Sequence, residues 1–85
     1  MPENFGERLR RLRDRAGLRQ GQLATITRAP QSLISMLERG IREGDSVKGI
    51  TLLLMAQALG VSVEYLLTGK RAVEQRRQIR EEREG

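Results

Sequence analysis

QGQLATITRAPQSLISMLERG, residues 20–40, holds two short apolar patterns joined by Arg28, Ala29 and Pro30. In the first, QGQLATIT, Leu23 and Ala24 are the inward positions of a two-turn helix over 20–27. In the second, Leu33, Ile34 and Leu37 fall at i, i+1 and i+4. That spacing predicts a helix from Pro30 or Gln31 to Arg39, ended by Gly40. Pro30 suits a first helical turn, because its φ is fixed and its missing N–H would have no partner there. It also pushes Ala29 towards an extended backbone and sharpens the turn. The cost is a capping group, since neither Ala29 nor Pro30 has a side-chain oxygen. With Ile34 and Leu37 facing inward, Gln31, Ser32, Ser35 and Met36 are left on the outer side.

Working outward, Phe5, Leu9, Leu12 and Ala16 recur at helical spacing and define a first helix over 5–16. Asn4 and Glu7 can cap its start and Gly17 its end. Its remaining face carries Arg8, Arg10, Arg11, Arg13 and Arg15. Residues 41–50, IREGDSVKGI, read as a loop, with a fourth helix opening between Ser46 and Thr51. Leu52, Met55, Ala56 and Leu59 then share one face, Leu54 points to the opposite side, and Gly60 closes the helix. Ser62 can cap a short fifth helix ending before Gly69. The alternation Val61, Val63, Tyr65 also fits a strand, but a lone strand has no pairing partner, so helix is preferred. The expected fold is therefore all-α: five helices in one domain, residues 1–69. A charged tail, 70–85, follows; it is read as a solvated helix or a frayed tail or, through Ala72, Val73 and Ile79, as a short dimerising helix.

Composition narrows the chemistry. The 85 residues suffice for one small domain with a modest core. Without Cys or His there is no disulfide, no Cys or His zinc site and no Cys–His or Ser–His nucleophile. One Phe and one Tyr make a base-stacking platform for single strands a poor expectation. No carboxylate pair, phosphate-binding Gly loop or metal-ligand cluster stands out, so the expectation is a binding protein without cofactor and not an enzyme. Sixteen Lys plus Arg against eleven Asp plus Glu give a net charge of +5, and all the cations except Lys48 and Lys70 are arginine, the better fork for phosphate oxygens. The excess points to a polyanion such as nucleic acid. The longest apolar run, LLLMA at 52–56, is far too short to span a bilayer, and the N-terminus has no apolar signal region. A cytoplasmic protein with no membrane partner is expected.

Two short helices joined by a tight turn make a helix-turn-helix. Ala24 marks the crossing point, where steeply crossed helices leave no room for a larger side chain. The stretch LRQGQLATITRAPQSLISMLERG resembles the helix-turn-helix of the phage repressor and Cro-like family, also called the XRE family. The flanking GERLRRLRDRAGL and LLLMAQALGVSVEYLLTG are similar to that family's first and last helices, so the resemblance spans about residues 5–69. It implies a sequence-specific binder of double-stranded DNA, a dimeric transcriptional repressor reading an inverted-repeat operator. Gln31 then resembles the glutamine that reads adenine, whose N7 and N6 match a side-chain amide's donor and acceptor. Ser32 and Met36 fall at the other base-facing positions. Gln20 resembles the glutamine that touches a phosphate and orients the first recognition residue. Arg39 lies at a backbone-contact position, and Arg28, Ser35 and Arg42 complete the set expected to reach phosphates. Arg13 and Glu38 sit where many members have a structural ion pair. Dimerisation is expected after Gly40, around Leu54 and from Tyr65 to Lys70, because Leu54 is a large apolar residue on the outer side of its helix.

The chain departs from the family in places. Arg28 stands where a Gly usually turns the chain, Arg19 replaces a Ser or Thr cap, and Gly21 weakens the first turn of the second helix. The loop from Ile41 to Ile50 is longer than the common version by about three residues. If the chain is whole, no self-cleaving peptidase domain follows, unlike in larger repressors. The alternative reading is an antitoxin-like or adaptor protein that uses the same fold mainly to hold a protein partner.

Overall fold

The computed structural model describes residues 3–71. Five helices follow one another: α1 (Phe5–Arg15), α2 (Gln20–Thr27), α3 (Gln31–Glu38), α4 (Gly49–Leu59) and α5 (Val63–Thr68), with one 3-10 turn at Gly44–Ser46. No strand occurs among the described residues. No helix among them is long and apolar enough to cross a membrane. The expectations for the charged tail lie, from residue 72 onward, outside the described residues.

Local chemistry sets the helix boundaries. At the start of α1 the Asn4 side chain accepts from the Glu7 N–H (2.8 Å), and the Asn4 N–H donates to the Glu7 carboxylate (3.2 Å), a complete capping box. Ser62 Oγ accepts from the Tyr65 N–H and starts α5 as a helix. Helices α1 to α4 end alike. The N–H groups of Leu18, Ala29, Ile41 and Val61 each reach back five residues, to the carbonyls of Arg13, Ala24, Met36 and Ala56. This is the Schellman arrangement, which needs a left-handed residue just past the helix. Gly17, Gly40 and Gly60 provide it in three cases and Arg28, at φ 57°, in the fourth. Of the two expected starts of α3, Pro30 and Gln31, the structure takes the second, which leaves Pro30 just outside the first turn. It is the N-cap of α3, extended at φ −69° and ψ 147°, and the helix begins at Gln31. A proline's fixed φ is as compatible with an extended cap as with a first helical turn.

Leu9 and Leu12 of α1 are fully buried against Leu23 of α2 and Ile34 and Leu37 of α3. Met55 of α4 and Leu66 of α5 close this core from the other side. The start of α1 crosses the end of α3 so closely that a Cβ on Gly6 would overlap the carbonyl oxygens of Leu37 and Glu38. That close approach fixes where the end of α3 lies.

Two surface assignments change. Arg8 is not on the solvent face of α1; it is 4% exposed. Its Nε donates to the Leu66 carbonyl (2.8 Å), its Nη2 to the Leu67 carbonyl (2.9 Å) and its Nη1 to the Glu3 carbonyl (3.2 Å). The guanidinium therefore satisfies carbonyls at the end of α5 that a helix leaves without partners. On α4, Leu54 is half-buried, and Ile50 (62% exposed) and Leu53 (44%) carry the open apolar surface instead. A run of apolar residues on every side of a helix carries no periodicity that could single out its outer face.

Candidate nucleic-acid interface

The site is built on the α2–α3 pair, and a partly buried polar network links both helices to α1. Arg13 Nε donates to Glu38 Oε2 at 2.6 Å and Arg13 Nη2 to Glu38 Oε1 at 3.0 Å. The two side chains are 12% and 4% exposed. The remaining Arg13 nitrogen, Nη1, donates to the Leu18 carbonyl at 2.8 Å. Gln20, the first residue of α2, adds a bond from Nε2 to Glu38 Oε1 at 3.2 Å. The Glu38 carboxylate at the end of α3 thus binds α1 and the start of α2 directly, and Arg13 extends the network to the α1–α2 link. The Glu38 hydrogen bond, outweighing burial, raises the pKa of Arg13 above its ordinary value.

The turn between the helices rests on Arg28. Its left-handed backbone closes α2 by accepting the strain a glycine would avoid. At the other end of α2 the cap is half made. The Arg19 N–H donates to Gln22 Oε1 at 2.8 Å, but an arginine side chain has no acceptor to return the bond.

On the outer side of α3, Gln31 and Ser32 are exposed and Ser35 and Met36 are half-buried. Two depressions flank this side. One lies between the starts of α2 and α3, lined by Arg13, Arg19, Gln20, Gly21, Thr25 and Gln31 among others. The other lies between α3 and the approach to α4. It brings Arg28, Ser32, Met36 and Arg42 together with Ser46, Lys48 and Thr51. The last three were not singled out from the sequence. Lys48 stands out there only as one of two lysines; the 3-10 turn that carries it to α3 left no periodic signal. Arg39 lies in neither depression. It is the exposed C-cap of α3. Among the described residues no carboxylate lies within salt-bridge range of Arg19, Arg28, Arg39, Arg42 or Lys48. Arg42 makes only a long bond to Ser46 Oγ (3.4 Å). These charges, unpaired among the described residues, can meet an external anion.

A model of the helix-turn-helix domain family matches residues 4–66. The chain belongs to the helix-turn-helix family. Solved structures place it among the phage repressor-like members, a class of DNA-binding regulators. The P22 c2 repressor in complex with synthetic operator 9T, in the presence of Tl+, is 32% identical with a TM-score of 0.72, over 81% of this chain and 100% of that one. The P22 c2 DNA-binding domain in solution is 34% identical with a TM-score of 0.70, over 81% and 88%. The restriction-modification controller protein C.AhdI from Aeromonas hydrophila is 37% identical with a TM-score of 0.63, over 73% and 89%. No curated protein matches.

The other residues expected to act lie elsewhere on this helix-turn-helix domain. Tyr65 is half-buried, and its hydroxyl accepts from Arg11 Nη2 at 2.9 Å within the same chain. Arg11 also forms a two-pronged bond to Glu3, whose carboxyl it holds below the usual carboxylate range. Lys70 is exposed just beyond α5.

Proposed function

We propose that the protein is a dimeric transcriptional repressor that reads an inverted-repeat operator with α3 in the major groove. The reading is supported by one observation: the outer side of α3 offers Gln31, Ser32 and Met36 beside Arg28, Arg42 and Lys48, and among the described residues none of these cations has a carboxylate in salt-bridge range. A side-chain amide matches the N7 and N6 edge of adenine, a hydroxyl serves several bases, and the Met36 side chain suits a thymine methyl. Arg28, Arg39, Arg42 and Lys48 lie around this side, where phosphates border the groove that receives a recognition helix. Gln20 and Ser35 are assigned to the backbone as well. Gln20 would do so with its amide already anchored by Glu38. The P22 c2 repressor, seen with a synthetic operator, supports the same use of the fold here.

Pairing of two copies is assigned to the region after Gly40: the open apolar residues Ile50 and Leu53 of α4, together with Leu54, Tyr65 and Lys70. Selection of binding sites from random duplexes, followed by mass measurement of the complex, tests both parts. The expected result is a palindromic site holding two chains. Recovery of no preferred sequence would favour an antitoxin-like or adaptor role instead.

A further inference from the structure

Gly21 sits in the first turn of α2, where it weakens the helix and no backbone angle demands it. Its surroundings give it another role. A Cβ built on Gly21 would lie 3.3 Å from Gln31 Oε1 and 3.8 Å from Gln31 Cδ, tight enough that the amide would have to move by a few tenths of an ångström. Several neighbouring polar groups are already engaged. Gln22 accepts from the Arg19 N–H, Gln20 donates to Glu38, and the Thr25 hydroxyl donates to the Gly21 carbonyl. Among the described residues the Gln31 amide has no hydrogen-bond partner, so both its donor and its acceptor stay available, and it lies close against Gly21. We infer that Gly21 is a positioning residue for base recognition: the missing side chain lets the Gln31 amide lie against the first turn of α2, in line with the base edge it reads.

This rests on the assignment of Gln31 as a base reader, and the test separates the two. Site selection and affinity measurements on the selected operator are made for the full chain and for Gly21→Ala, Gln31→Ala and the double variant, with a thermal melt of each. Gln31→Ala is expected to lower operator affinity by roughly five- to a hundredfold relative to random duplex. Gly21→Ala is expected to lose at least about fivefold of the same ratio, and to relax the selected sequence at the same base pair. Its melting temperature should be unchanged or higher, because Ala is the better helix former. In the Gln31→Ala background, Gly21→Ala should change nothing further. A Gly21→Ala protein with unaltered base preference overturns the inference while leaving Gln31 in place as a reader. So does a further loss in the double variant. No effect of Gln31→Ala on the ratio fells both.

Discussion

Glu38 at the end of α3 and Arg13 in α1 share two hydrogen bonds, 2.6 and 3.0 Å long, and almost no solvent reaches the carboxylate. The pair ties the end of α3 to α1, beside the packing of Ile34 and Leu37 in the core. Glu38→Ala would leave the guanidinium of Arg13 in its half-buried position with the Leu18 carbonyl and a longer, exposed contact to Asp14 (3.4 Å), and the Gln20 amide without its partner. A loss of about 3 kcal/mol of stability is expected, as for a buried pair broken on one side. Glu3→Ala, which breaks the exposed pair with Arg11, should cost under about 1 kcal/mol. Denaturant melts of the two variants compare them directly. Equal small losses would mean that the Arg13–Glu38 pair behaves as a surface pair.

Arg28 should show stability and binding moving in opposite directions. Arg28→Gly removes the left-handed strain at φ 57° and should stabilise the domain by about 0.5–1 kcal/mol after allowing for glycine's freedom in the unfolded chain. It also removes a charge from the depression beside α3. A higher melting temperature with weaker DNA binding is the expected pair of results. A melting temperature that does not rise would mean that Arg28 sits there without strain.

Arg39, Arg42 and Lys48 should behave as phosphate contacts. Each substitution to Ala is expected to weaken operator and random duplex alike and to flatten the salt dependence by about one ion, because counterions are released regardless of sequence. Titrations at several salt concentrations check it. A variant that lost operator affinity alone would be a base reader instead.

The open side of α4 should carry the dimer contact. Leu53→Glu is the cleaner variant, because Leu53 is already 44% exposed and a charge there need not disturb folding. The complex with a palindromic site should then hold one chain at low protein concentration. A two-chain complex of unchanged affinity would place the contact elsewhere.

The helices were legible because each boundary has a local cause: the Asn4 and Ser62 caps, and left-handed residues that end four helices with the same backward bond. The direction of α3 was legible too, since Ile34 and Leu37 leave only one side for Gln31 and Ser32. What was not legible depended on distant partners. Arg8 looks like its neighbours on an arginine-rich helix until the carbonyls of Leu66 and Leu67, about 58 residues away, meet its guanidinium. Leu53 and Leu54 could not be told apart within a continuous apolar run. Lys48 joined the candidate interface only through the path of the loop before α4. Gly21 read as a weak helix residue, and its closeness to Gln31 exists only once α2 and α3 are crossed.

Base reading by Gln31 on α3 is tested most directly by the ratio of operator to random-duplex affinity. Gln31→Ala should lose about 1–3 kcal/mol on the operator, the worth of a bidentate base contact, and almost nothing on random duplex. An unchanged ratio, with the fold intact, would contradict the account.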